Sequence, residues 1–123
     1  MAFLDDQQPA AARVEIVLDE GQAAACSINV GEVLYRQIRA LGPSSAKEGI
    51  ATLRQDMEVI DPDWKLVTSA AEIKARGGLS FADAFCVATA ERLGAPLWTG
   101  DPEIVDRADD LPCEVTDLRV SEG

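Results

Sequence analysis

The chain has 123 residues, 47% of them hydrophobic, a length and composition that predict one globular domain over residues 1–123. Its apolar runs are far shorter than the roughly 20 residues of a membrane-spanning helix, and its N-terminus has no secretory pattern, so we expect a cytoplasmic protein without a membrane segment. The net charge of −11 argues against ordinary nucleic-acid binding, although a bound divalent cation can reverse the local sign.

Helical and strand-like patterns alternate along the first half of the chain. Apolar residues at helical spacing predict a first helix over 9–20, which Gly21 ends. The elements predicted next are a strand over 23–28, a helix from Asn29 to a break at Gly42-Pro43, a helix over 45–55 and a short strand over 57–60.

The alternation continues in the second half. Asp61-Pro62 predicts the start of a helix that ends at Gly77-Gly78. The elements that follow are a largely buried helix over 81–93 capped by Ser80, a strand over 95–99, a short helix over 102–108 and a strand over 113–118. Alternation of this kind predicts an α/β domain with three layers, α/β/α, around a mostly parallel sheet.

Three carboxylates occur where a strand-like run gives way to a helix: Glu32, Asp83 and Asp101. Strand ends and the helix starts that follow them share one edge of a parallel sheet, so we expect these acids to converge. The chain has no histidine, and carboxylate oxygens suit magnesium or manganese. Such a metal site would supply the minimum equipment for phosphodiester hydrolysis.

Each acid also has an explanation that requires no chemistry. Asn29 to Glu32 has the spacing of a capping box, and so has Ser80 to Asp83. Asp101 before a proline is a good helix N-cap. Capping alone gives no reason to gather three negative charges, but the sequence leaves both explanations open for each residue.

The cysteines do not suggest a site. Cys26, Cys86 and Cys113 are widely spaced and include no Cys-x-x-Cys pair, which argues against a disulfide framework and against zinc. We expect them to be small buried residues.

Three separated motifs resemble the PIN-domain ribonucleases, most closely the VapC-type toxins of bacterial toxin–antitoxin pairs. They are Asn29-x-x-Glu32-Val-Leu, Leu79-Ser-x-Ala-Asp83-Ala and Leu97-x-Thr-Gly-Asp101-Pro-Glu. The resemblance implies that Glu32, Asp83 and Asp101 bind Mg²⁺ or Mn²⁺ in an endoribonuclease that cleaves RNA. It also implies inhibition by a cognate antitoxin and dimerisation, and it suggests that Thr99 orders a water at the metal.

The chain departs from the family pattern at its start. Members begin with a short strand that carries the first acid, in a segment of the type Leu-Asp-x-Ser-x-Leu. Here Met1-Ala-Phe-Leu resembles the beginning of the helix that follows, so we expect a domain truncated at its N-terminus that lacks the central strand of the sheet. Either Met1 is an internal methionine, which stability favours, or the shortened chain survives by dimerisation or rearrangement. Asp5 or Asp6 could replace the lost acid only from within that helix.

Two functions remain open from the sequence. The first is a metal-dependent endoribonuclease of the toxin type, which would be weak or inactive because the acid of the first family strand is missing. The alternative is a catalytically silent PIN-like binding module that pairs with an antitoxin-like partner. Four basic residues near the motifs could contact RNA or could be ordinary solvated helix residues: Arg36, Arg39, Lys74 and Arg76.

Overall fold

The computed structural model of the protein describes residues 2–4, 23–99 and 101–117. The strands in these ranges are β1 (Ala2–Leu4), β2 (Ala23–Cys26), β3 (Met57–Ile60), β4 (Leu97–Thr99) and β5 (Val115–Asp117). The helices are α1 (Ser27–Leu41), α2 (Pro43–Gln55), α3 (Trp64–Ala75), α4 (Phe81–Leu93) and the short α5 (Pro102–Val105), followed by a 3-10 turn at Ala108–Asp110. The predicted α/β class is confirmed.

The five strands form one sheet in the order β3-β2-β1-β4-β5, and every described pairing is parallel. The chain places β2 and β3 on one side of β1 and then returns to place β4 and β5 on the other side. The direction therefore reverses between β1 and β4. Open parallel sheets bind their ligands at such a switch point, in the crevice outside the carboxyl ends of the strands.

The prediction that the central strand is missing was wrong. Residues Ala2–Leu4 form β1, which pairs with β2 through Ala2 and Ala23 and with β4 through Phe3 and Leu97. A three-residue strand in the middle of a parallel sheet is too short a run to show a periodicity that separates it from a helix. The predicted helix over 9–20 lies outside the described residues, as do Asp5 and Asp6.

The core is built from small residues in the sheet and from α4. All four residues of β2 are buried, and three of them are alanines, so the helices can approach the sheet closely. Helix α4 is buried at every position from Ala84 to Ala90, as its apolar composition predicted. Leu66, Leu97 and Ile104 are among the largest fully buried side chains. Within the described residues, no helix has the length and apolar composition of a membrane span.

Three predicted helix starts are displaced, and the helix predicted over 45–55 begins at Pro43. Helix α1 begins at Ser27, and its N-cap residue Cys26 forms no side-chain cap. Helix α3 begins at Trp64 and not at Pro62, because Asp63 is the better cap: its Oδ1 accepts from Leu66 N at 2.8 Å and from Arg92 Nη2 at 2.8 Å. The second contact joins the start of α3 to the end of α4. Strand β3 and helix α4 have the predicted bounds.

We expect Leu97→Ala to destabilise the protein by about 2–5 kcal/mol, because it removes a fully buried side chain from a strand next to the centre of the sheet. Urea unfolding measures this loss. The matched control is Leu41→Ala at the end of α1, where the leucine is 61% exposed and the effect should be small. Equal losses in the two variants would contradict the assigned core.

Asp63 should make the protein less stable in acid. The hydrogen bond from Arg92 holds the pKa of this carboxyl below 3.8 in the folded state, so its stabilisation is present above pH 3.8 and is lost as the pH falls through the folded pKa. We therefore expect Asp63→Asn and Arg92→Gln to lower the urea midpoint above pH 3.8 and to lose less of it than the wild type on acidification. Parallel pH profiles in all three proteins would refute this assignment.

Candidate metal centre

Asp83, Asp101 and Glu103 come together at the carboxyl edge of the sheet. Each offers one carboxylate oxygen, and these atoms all lie within 4.8 Å of one another. Asp83 and Asp101 are partly buried and Glu103 is exposed. The structure thus brings together two of the three predicted site residues and adds a third acid that the prediction did not include.

Local capping places Asp83 in the first turn of α4. Ser80 is the N-cap, and its Oγ accepts from the backbone N of Asp83 at 3.1 Å. This is half of the predicted capping box. The bond uses the backbone of Asp83 and not its carboxylate, and an acid in the first turn also interacts favourably with the positive end of the helix. Capping by Ser80 therefore fixes the backbone of Asp83, and with it the position from which the side chain extends.

Asp101 is held through both its backbone and its side chain. Its N donates to Thr99 Oγ1 at 3.0 Å, and its Oδ1 accepts from Glu103 N at 2.9 Å, which confirms Asp101 as the N-cap of α5. Thr99 is fully buried at the end of β4. A carboxylate has about four lone-pair positions over two oxygens, so one capping bond leaves capacity for a cation. Ile104, also fully buried, anchors the short helix that carries Glu103.

Asn29 joins the start of α1 to the start of α4. Its side chain is buried, and its Nδ2 donates to the carbonyl oxygen of Ala82 at 3.0 Å, one residue before Asp83. Its Oδ1 is buried with no hydrogen-bond partner in the described part of the chain. A buried polar atom left in this state is rare in native structures, and an ordered water or ion is a common explanation. Asn29 thus carries an unpaired oxygen and is hydrogen-bonded to the residue that precedes Asp83.

Glu32 does not belong to this group in the structure. It lies well inside α1, because the helix begins two residues before the predicted start, and the expected capping box with Asn29 does not form. Its Oε2 lies 3.7 Å from Arg36 Nη2, one helical turn away, and both side chains are about half exposed.

The electrostatics of the three acids favour a cation. Two unit charges 4.8 Å apart repel by about 3 kcal/mol at a protein-like effective dielectric, before water reduces the value at such a partly exposed site. In octahedral magnesium coordination, opposite oxygens lie about 4.2 Å apart. The three carboxylate oxygens all lie within 4.8 Å of one another, a separation only slightly greater than this distance. Small side-chain movements would therefore allow all three to bind one ion directly. The orphaned oxygen of Asn29 and the all-oxygen donor set both fit a hard divalent ion.

The cysteines offer no nucleophile. Cys26 and Cys86 are buried, as expected. Burial, with a smaller contribution from the negative charge of Glu91, raises the pKa of the Cys113 thiol to about 11. A thiol with such a pKa is protonated at neutral pH and is a poor nucleophile. This leaves hydrolysis assisted by a metal ion as the simplest chemistry for the site.

The four basic residues make structural contacts. Arg36 contacts Glu32, and Arg39 Nη1 donates to the hydroxyl of Tyr35 at 3.0 Å. Lys74 Nζ donates to Leu79 O at 2.8 Å, and Arg76 lines a surface cavity next to the connection between α3 and α4. An RNA-binding role for these residues stays a prediction.

Of the two residues that the prediction omitted from the site, Glu103 carried a usable signal and Asn29 did not. Glu103 stands two residues after Asp101 in an Asp-Pro-Glu segment, where the cap of α5 brings the Asp101 carboxylate to the backbone N of Glu103. Asn29 was assigned to the helix cap, where its burial could not be foreseen. Only the packing of α1 against α4 explains why an amide belongs there.

Comparison with known proteins gives a consistent fold. A family model described as PIN domain matches residues 1–111. The DNA-bound VapBC structure from Salmonella typhimurium is 18% identical with a TM-score of 0.73, over 95% of this chain and 97% of that one. A toxin–antitoxin complex from Klebsiella pneumoniae is 17% identical with a TM-score of 0.65, over 96% and 98%. VapC20 from Mycobacterium tuberculosis, described as a sarcin-ricin loop cleaving toxin, is 17% identical with a TM-score of 0.63, over 82% and 92%. No curated protein sequence matches the chain.

We expect Thr99→Val to weaken Mn²⁺ binding by about 10-fold, because it removes the acceptor that orients Asp101 while preserving side-chain volume. Calorimetric titration measures the affinity. The matched control is Thr89→Val, a second fully buried threonine whose hydroxyl donates to Phe85 O within α4 at 2.8 Å. An equal loss of affinity in both variants would assign the effect to general destabilisation.

Proposed function

The chain belongs to the PIN domain family, and from that premise we propose that it is a metal-dependent endoribonuclease, the toxin component of a toxin–antitoxin pair. The observation that carries the proposal is the group formed by Asp83, Asp101 and Glu103 next to the switch point of the sheet. An all-carboxylate donor set of this kind suits Mg²⁺ or Mn²⁺. The relative described as a sarcin-ricin loop cleaving toxin supports RNA as the substrate.

The residues of the chain divide the work. When bound, a divalent cation supplies Lewis-acid chemistry, which polarises a phosphoryl oxygen and lowers the pKa of a water. Asp83, Asp101 and Glu103 hold it, and the buried Thr99 keeps Asp101 in place through the backbone. Asp83 and Glu103 lie in the first turns of α4 and α5.

Glu32 remains a proposed ligand despite its contact with Arg36. A half-exposed pair at i, i+4 on a helix stabilises by only about 0.3–0.5 kcal/mol. A cation among neighbouring acids would outweigh that, so Glu32 can leave Arg36 at little cost.

Asp5 completes the proposed set of acids. It follows Leu4 directly in the chain, and β1 ends at Leu4 in the centre of the sheet. The sequence predicted a helix at this position, and the strand over Ala2–Leu4 removes that objection to Asp5. Leu4-Asp5 now matches the Leu-Asp segment with which family members begin, and carboxyl ends of adjacent parallel strands share one edge.

We also propose a cognate antitoxin and a second copy of this chain as partners, acting in the cytoplasm where RNA and antitoxin are made. The toxin–antitoxin complex from Klebsiella pneumoniae supports the antitoxin. Exposed large apolar side chains are available for such protein contacts. They are Ile28, Tyr35, Leu41, Trp64 and Phe81.

We expect the purified protein to cleave RNA with Mg²⁺ or Mn²⁺ and to stop when the metal is chelated. Asp83→Asn, Asp101→Asn and Glu103→Gln should each lower the cleavage rate by about 100-fold or more, since changes one shell further out already cost about 10–100-fold. Glu32→Gln and Asp5→Asn test the two remaining ligands. Gel analysis of a labelled structured RNA measures the rate.

The matched control is Asp109→Asn, which makes the same change in an exposed acid outside the group. It should cleave like the wild type, and cleavage that persists undiminished in Asp83→Asn, Asp101→Asn and Glu103→Gln would come from a contaminating nuclease. Binding of Mn²⁺ without cleavage of any RNA would refute the nuclease. Neither binding nor cleavage would favour the silent binding module.

A further inference from the structure

The connection between α3 and α4 decides where the first turn of α4 lies. It runs from Arg76 to Ser80, and Ser80 caps α4 through the backbone of Asp83. Two successive glycines in it, Gly77 with φ +86 and Gly78 with φ +89, adopt a left-handed conformation that other residues rarely accept. Any shift of this connection would therefore move Asp83.

Arg107 packs directly over Gly78. A Cβ atom added at Gly78 would overlap the guanidinium atoms of Arg107, whereas a Cβ at Gly77 would meet nothing within 4 Å. The two glycines have nearly the same φ, but only Gly78 has the Arg107 guanidinium beside it. A side chain at position 78 would therefore force Arg107 out of its present position.

Arg107 also bonds to the segment that carries the other two acids. Its Nη1 donates to Glu103 O at 3.1 Å, and it lies two residues beyond the end of α5. On the opposite side, Lys74 Nζ donates to Leu79 O at 2.8 Å. Two cationic side chains thus lie against the same connection: Lys74 from α3, through a hydrogen bond, and Arg107 from the turn after α5, through contact with Gly78.

We propose that Arg107 is a positioning residue for the metal centre. It joins the 76–80 connection to the turn after α5, and so sets the separation of Asp83 from Asp101 and Glu103. The glycine at position 78 provides the space for this contact, which we call the Arg107–Gly78 latch. The role rests on the proposed metal-dependent function, but the contact itself does not.

The mechanism is mechanical and not a matter of charge alone. Asp83 stands on α4, whereas Asp101 and Glu103 stand at the start of α5. The latch connects the α4 side with the α5 side, where Arg107 bonds to the backbone carbonyl of Glu103 and not to its carboxylate. A loss of the latch should thus widen the acid spacing while leaving each cap intact.

The test compares Mn²⁺ affinity and urea unfolding in four variants: Arg107→Ala, Gly78→Ala, Gly77→Ala and the double variant Arg107→Ala with Gly78→Ala. Calorimetry is done well below the unfolding midpoint of each protein. We expect Arg107→Ala and Gly78→Ala to weaken Mn²⁺ binding by about 10-fold. Gly77→Ala suffers the same backbone strain without the collision, so its loss of affinity, which should be the smaller one, measures the contribution of strain alone.

The double variant provides the second measurement. Removing Arg107 vacates the space that the new Cβ needs, so Gly78→Ala should cost less stability in the Arg107→Ala background than in the wild type. Gly77→Ala should cost the same in both. Additive losses for Gly78 and Arg107 would overturn the latch.

The positioning role is refuted if Arg107→Ala binds Mn²⁺ as tightly as the wild type. It is also refuted if Gly77→Ala weakens Mn²⁺ binding as much as Gly78→Ala does. If the wild type itself binds no Mn²⁺, the proposed function fails and the positioning role with it. The unfolding cycle would in that event still decide whether the latch exists, so the two failures are distinguishable.

Discussion

The fold depends on the parallel pairing of β1, three residues long, with strands on both of its sides. Ala2–Leu4 carries the hydrogen bonds that join β2 and β3 to β4 and β5. Without it, the inner edges of β2 and β4 would expose unpaired backbone groups in the middle of the sheet, where burial makes them costly. The same strand creates the reversal of direction at which the acids gather. One short segment thus accounts for both the continuity of the sheet and the location of the site.

Capping and cation binding, which the sequence presented as alternatives, are compatible in this structure. The cap of α4 uses the Ser80 hydroxyl and the backbone of Asp83, and the cap of α5 uses one oxygen of Asp101. The capping bonds hold the acids on two helix starts that the sheet has already brought together. Local hydrogen bonds therefore supply the rigidity that a preorganised site needs, and the caps do not consume the other carboxylate oxygens.

The sequence predicted those parts of the molecule whose causes are local. Ser80 three residues before Asp83, and Asp101 directly before Pro102, mark helix starts by rules that act within one turn, and both are confirmed. The start of α1 was misplaced because Cys26 provides no side-chain cap, so no local signal marks it. β1 was missed because its identity depends on neighbours far away in the chain. Asn29 was missed because its partner is set by the packing of two helix starts, whereas Glu103 stands in the same segment as Asp101 and only its nearness to Asp83 depends on packing.

The position of β1 also fixes the order in which the molecule can form. Phe3 pairs with Leu97, so a segment made early in synthesis must wait for β4, which leaves the ribosome much later. Contacts between such distant residues are slow to form, because a long loop must close before they stabilise anything. Asp101 and Glu103 lie just beyond β4, so the centre of the sheet and the acidic group depend on the same late stretch of chain. The three acids therefore cannot gather in a nascent chain whose central strand still lacks its second neighbour.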